Sequence, residues 1–209
     1  MTIEFENTQL AAAMARVAAA LKANQQMITE LDQAVGDGDL GVTALKLAET
    51  LEIAAGKGGV VDVGKWFAET GMAFNRAAPS TMGTLTAIAL MQAGKVVVGK
   101  EKLAAADLPL LLKAATTAVE SRGKARLGDK TALDVLRPAS DAFSAALAAG
   151  QPIAGAAAAM LAAARDGRDR VTPLRNKIGR ASWLGERTEG KVDPGCAFTV
   201  LALTAIVGA

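Results

Sequence analysis

The sequence predicts an all-α, single-domain protein of about eight amphipathic helices, arranged as an up-and-down bundle or a closed helical barrel. Three observations carry this. Alanine dominates the apolar half of the chain, aromatic residues make up only 3% and tyrosine is absent. Alanine and leucine favour helices, whereas strands draw on β-branched and aromatic residues. Apolar residues recur at mostly helical spacing in one stretch after another, and glycine or proline separates the stretches at short intervals. The 209 residues suffice for one domain, 1–209, with a sizeable core.

Taken in order, Leu10, Met14, Val17, Leu21, Ile28 and Leu31 predict one long helix over 8–35, with Gly36 as the residue just past its end that accepts positive φ. A polar loop follows at 36–41. A second helix is expected over 42–55, a turn at 56–59, and a third helix over 63–75. Pro79 and Ser80 announce a fourth, with Ser80 as N-cap, running to 98. The fifth spans 103–121 and the sixth 130–148, where Gly150 and Pro152 end it; the seventh spans 153–166. Residues 167–192 are rich in Gly, Arg and Lys, lack periodicity and read as a long ordered loop. Pro194 suits the first turn of an eighth helix.

The net charge of +2 and the absence of long basic runs argue against nucleic acid as a partner. The acidic N-terminus lacks the features of a signal peptide, and no apolar stretch approaches a membrane span, so cytoplasm is the expected location. Cys196 is the one cysteine and reads as a small buried apolar residue in a reducing compartment. Histidine is absent. Any step that needs an imidazole base, phosphohistidine or histidine ligand must therefore take it from another chain.

Asp32, Asp37 and Asp39 crowd three carboxylates into eight residues. Like charges this close repel unless a cation neutralises them, and magnesium takes carboxylate, water and phosphate oxygens. Gly36, Gly38 and Gly41 let the backbone fold tightly around such a site. A solvated turn rich in Asp and Gly is the competing reading. The spacing is neither an EF-hand nor a P-loop.

Ser80 and Thr81 stand at a helix start, where free N–H groups and the dipole suit an anion, or where Ser80 simply caps the helix. Arg122, Gly123 and Lys124, with Lys130 and Thr131, offer a phosphate or ribose contact, or a solvated surface loop. Arg180 is a candidate for bidentate phosphate contact, against a plain exposed charge.

These blocks together resemble the nucleotide-binding L subunit of dihydroxyacetone kinases, over essentially the whole chain. The likeness rests on Leu31-Asp-Gln-Ala-Val-Gly-Asp-Gly-Asp39, Arg122-Gly-Lys-Ala, Gly128-Asp-Lys-Thr-Ala-Leu-Asp-Val-Leu136, Gly179-Arg-Ala-Ser-Trp-Leu-Gly-Glu-Arg187 and Asp193-Pro-Gly195. It implies an antiparallel barrel of eight helices with the nucleotide, ADP or ATP, held at one end by two magnesium ions. It assigns the metal to Asp32, Asp37 and Asp39, and phosphate contacts to Gly41, Thr43, Ser80, Thr81 and Arg180. Gly123, Ala132 and the turn of Asp193, Pro194 and Gly195 match positions lining the pocket.

The resemblance also implies partners: a K subunit that holds dihydroxyacetone on a histidine and, in one version of the reaction, a phosphotransferase-system protein that recharges bound ADP. In the other version ATP exchanges as substrate. A homodimer is compatible with either. Two departures stand out. Leu40 replaces the histidine of the family's Gly-Asp-x-Asp-His-Gly loop, so a phosphate contact there is lost or replaced. Thr81 and Met82 stand where the family has glycine and proline. Both leave the ketose open, a ketotetrose included. A nucleotide-binding regulatory protein without kinase chemistry, and an alanine-rich scaffold that binds nothing charged, are the competing readings.

Overall fold

The computed structural model describes residues 3–57 and 61–208. Among them the helices are α1 (Asn7–Ala23), α2 (Gln25–Gln33), α3 (Leu40–Gly56), α4 (Val63–Ala77), α5 (Thr81–Lys95), α6 (Asp107–Gly123), α7 (Leu133–Ala148), α8 (Ile153–Val171) and α9 (Pro194–Val207). A 3-10 helix covers Arg180–Thr188. Two short strands, β1 (Glu4–Phe5) and β2 (Leu103–Ala104), pair antiparallel with Glu4 opposite Ala104.

The helices close a ring. α1 packs on α3, and then α3 on α4, α4 on α5, α5 on α6, α6 on α7, α7 on α8 and α8 on α9; α9 returns to α1. The connections α2–α3, α4–α5, α6–α7 and α8–α9 all contribute to one cavity. Every second connection meeting at one end is what an antiparallel helical barrel requires. Three buried clusters fill it. Phe74 and Phe198 lie in the first, Phe143 and Leu203 in the second, Trp66 and Leu111 in the third. α9 supplies Phe198 to one cluster and Val200 and Leu203 to another, so it is apolar all round and seals the ring. Burying a side chain such as Phe74 contributes about 1.5–3 kcal/mol. No described helix is long and apolar enough to cross a membrane.

The helix count exceeds the eight expected for identifiable reasons. The helix expected over 8–35 breaks at Asn24, whose side-chain amide donates to the Ala20 carbonyl at 2.9 Å while its backbone leaves helical geometry. Its second half stops at Gln33, and positive φ falls at Gly38 rather than Gly36. The fourth helix stops at Lys95. The fifth begins at Asp107, not at 103, because Leu103 and Ala104 are taken up by the strand pair and the Asp107 carboxylate accepts the Ala104 N–H at 2.9 Å.

The sixth helix begins at Leu133, since Lys130 adopts a left-handed φ of 61°. The seventh continues to Val171, which is buried, so the expected loop over 167–192 is shorter and contains the 3-10 helix. In the expected turn at 56–59, Gly56 ends α3 and Lys57 is its C-cap. Gly58 and Gly59 lie outside the described residues.

Candidate nucleotide and metal site

A cavity of about 270 Å³ opens at the end of the ring where these connections meet. One end of it is acidic. Asp32 sits in the last turn of α2, and Asp37 and Asp39 follow in the connection to α3. Each offers a carboxylate oxygen within 4.8 Å of the others. The local chain accounts for this closeness. The backbone N–H of Leu40 donates to Asp32 Oδ2 at 3.0 Å, which folds the connection back on the α2 terminus. A Cβ at Gly36 would stand 2.9 Å from Asp32 Oδ1 and 3.1 Å from its carbonyl oxygen, so only glycine passes beside this carboxylate without displacing it. Gly38 takes φ 81°, which turns the chain between Asp37 and Asp39.

Arg180, at the start of the 3-10 helix, reaches the same cluster. Its Nη1 pairs with Asp37 Oδ2 and lies 3.5 Å from Asp39 Oδ2. A cationic group is therefore already drawn to these oxygens. An all-oxygen donor set of three carboxylates fits a hard divalent cation such as magnesium.

The second wall is the start of α5. Ser80 is its N-cap: Oγ accepts the Gly83 N–H at 3.1 Å and also the Thr43 hydroxyl at 3.1 Å. Ser80 and Thr81 line the cavity, and so do Met82 and Leu40, although Leu40 is largely buried in the first core cluster. Gly41 and Thr43 do not line it. Gly41 is pressed against Thr29, with no room for a Cβ, and Thr43 stands behind Ser80. By donating to Ser80 Oγ, Thr43 orients the Ser80 hydroxyl.

The third wall joins the α6–α7 and α8–α9 connections. Gly123, Ala132, Asp193 and Gly195 all line the cavity. Lys130, read from the sequence as a phosphate or ribose contact, is not free to be one. It is 1% exposed, and its Nζ donates to the carbonyls of Thr172, Leu174 and Thr188 at 2.8, 2.8 and 2.7 Å. All three protons are used to tie the connections together. Burial pushes its pKa down, against the pull of the nearby Asp193 carboxylate.

Asn176, which sequence reasoning missed, continues this tie. Its amide donates to the Lys130 carbonyl at 2.8 Å and to Asp193 Oδ2 at 2.7 Å. Asp193 caps α9 by accepting the Cys196 N–H at 2.8 Å, and burial pushes its carboxyl pKa up. The Cys196 thiol is fully buried, its pKa raised by burial, and donates to the Thr131 carbonyl at 3.1 Å, as a small core residue should. Leu85, Val119, Ala125 and Ile178, also missed, make part of the lining apolar. Leu85 and Val119 lie on helix faces, where such residues carry no signal that separates them from core, and Ala125 and Ile178 lie in the connections, with no periodicity to mark them.

Fold and site together define a class: a helical barrel whose end loops hold a cluster of three carboxylates, a capped helix start and an arginine, beside an apolar lining. Within that class the DAK2 domain family profile matches residues 34–208, and the chain belongs to this family. It is 29% identical over 184 residues to the ADP-binding subunit DhaL of PEP-dependent dihydroxyacetone kinase 1 of Listeria innocua, covering 88% of this chain and 87% of that one. The corresponding Escherichia coli K12 subunit is 27% identical over 205 residues, covering 96% of each. The crystal structure of the dihydroxyacetone kinase of C. freundii in its native form matches 98% of this chain with TM-score 0.74 and 23% identity, over 35% of the crystallised chain. The same enzyme in complex with AMP-PNP and Mg2+ gives 0.70 and 22% over 95% of this chain and 33% of that chain. At these identities the crystal structures show a shared fold.

Proposed function

We propose that this chain is the nucleotide-binding subunit of a dihydroxyacetone-type kinase, which presents a phosphoryl group from a magnesium-bound nucleotide to a small hydroxyketone held by a separate K subunit in the cytoplasm. The observation that carries this is the convergence of Asp32, Asp37 and Asp39 with Arg180 at the acidic end of the cavity. Asp32, Asp37 and Asp39 would hold the metal, two ions in the full site. Bound magnesium supplies charge neutralisation to phosphate oxygens that the carboxylates alone would repel.

The chain's own residues do the rest. The α5 start behind Ser80 and Thr81 offers donors to phosphate. Arg180, which pairs with Asp37 in this structure, would be free to turn its guanidinium onto the transferring group were Asp37 to hold a metal. The apolar lining from Leu85 to Ile178 takes a base and excludes water. Transfer of this kind is mainly positioning and electrostatics, and it asks for no histidine on this chain.

Relatives that match along most of their length are named as ADP-binding subunits of PEP-dependent or PTS-dependent kinases, which supports ADP as a bound coenzyme recharged by a phosphotransferase-system protein over exchangeable ATP. A coupled assay tests the reading. With a K subunit loaded with dihydroxyacetone, the phosphorylated ketose should form with ATP or with a recharging phosphoryl donor. Nucleotide binding without any product, across dihydroxyacetone and a ketotetrose, would instead establish the regulatory alternative.

A further inference from the structure

Trp183 is 88% exposed, whereas the chain's other tryptophan, Trp66, is 6% exposed and bonded through its indole N–H to the Ala54 carbonyl. The segment that carries Trp183 is pinned. Ser182 donates its N–H to the Gly179 carbonyl at 3.2 Å, and the Thr188 hydroxyl donates to the Gly185 carbonyl at 2.8 Å. The Thr188 carbonyl accepts from buried Lys130, and Arg175 pairs with both Glu186 and Glu189. Gly179 and Gly185, both at positive φ, set the bends on either side of the indole. The ring is thus presented by an ordered support. It is not part of the cavity lining, although Arg180 and Ala181 are, so it stands beside the mouth and not inside it.

We infer that Trp183 is the anchor by which the acceptor-bearing partner subunit seats over the mouth of the site. The inference rests on the proposed phosphoryl transfer. Arg180, three positions before Trp183, touches Asp37 and Asp39, so the transferring group must lie at this rim. The chain has no histidine, and on the proposed reading the acceptor is delivered by the partner subunit. Whatever delivers it must cover Arg180 and therefore the residues next to it. Leu127 is a second exposed apolar residue, on the α6–α7 connection that is tied to the Arg180 segment through the Asp129 carbonyl, which accepts the Lys177 N–H at 3.0 Å. Tryptophan is among the residues enriched at the few positions that carry most of the energy of a protein–protein interface.

The test labels this chain with 5-fluorotryptophan and follows the Trp183 fluorine resonance, assigned with Trp183→Phe. Adding Mg-ADP alone should leave it in place; adding the K subunit should shift it. In the coupled assay Trp183→Ala should raise the KM for the K subunit at least ~10-fold, with kcat at saturating K subunit and Mg-ADP affinity unchanged. Trp183→Phe should recover part of the loss. A Trp183→Ala chain that engages the K subunit within twofold of wild type overturns the inference, as does a resonance that moves with nucleotide alone. If the wild-type chain itself neither binds the K subunit nor supports transfer, the kinase reading falls, and the inference with it.

Discussion

The backbone N–H of Leu40 donates to the Asp32 carboxylate at 3.0 Å. Leu40, one of the positions at which the resemblance leads one to expect a different residue, thus ties down the carboxylate cluster through its main chain, while its side chain belongs to the core cluster that includes Ala44 and Phe74. Leu40→Ala should cost about 2–4 kcal/mol in urea unfolding through lost packing. Below the unfolding transition, its affinity for Mg-ADP should stay within about threefold of wild type, because the hydrogen bond to Asp32 persists. A loss of tenfold or more at full folding would show that the side chain itself contacts the ligand.

Arg180 bears on both the metal-free and the loaded states. Without magnesium its guanidinium is the cation closest to Asp37 and Asp39, so Arg180→Ala in EDTA should lower Tm, and added magnesium should raise Tm by more than in wild type. In the transfer assay the same variant should lose on the order of 100-fold or more in kcat, with Arg180→Lys a poor substitute because a lysine lacks the planar fork. Equal kcat in Arg180→Lys and wild type would reduce the role to that of a point charge.

Lys130 is the keystone of the third wall. Lys130→Met removes the donor from three carbonyls at once, and should destabilise the fold by roughly 3 kcal/mol or more, measured by urea unfolding. There is a pH signature. Burial lowers the folded-state pKa of Lys130, so as pH rises towards the ordinary lysine range the folded chain releases its proton before the unfolded chain does. The unfolded state then binds more protons, and stability rises with pH in that window. The Met variant should lack this slope. A variant as stable as wild type would mean that the three carbonyls find other partners.

Much of the ring was legible because its signals are local. Ser80 and Asp193 are polar caps at the starts of α5 and α9, each accepting an N–H three residues on, and Pro194 stands in the first turn after Asp193. The clustering of Asp32, Asp37 and Asp39 also follows from short spacing and two glycines. What escaped depends on contacts distant in sequence. Leu103 and Ala104 form a strand only because Glu4 and Phe5 lie beside them. Lys130 resembles any loop lysine until the carbonyls of residues 172, 174 and 188 are seen around it. Asn24 has helical neighbours on both sides, and only its side-chain bond to Ala20 reveals the break. Val119 lies on a helix face and Ile178 in the stretch read as a loop, and only the folded ring shows that both line the cavity.

The three aspartates should make nucleotide binding depend on magnesium. Isothermal titration of ADP into the wild-type chain and into an Asp37→Ala/Asp39→Ala variant, each with magnesium and with EDTA, measures it directly. Wild type should bind only with magnesium, the variant should lose at least ~100-fold in affinity, and its metal-free fold should remain intact because both side chains are about half exposed. Equal affinity with and without magnesium, or a variant that binds as wild type does, would mean that these aspartates hold no metal on which the nucleotide depends.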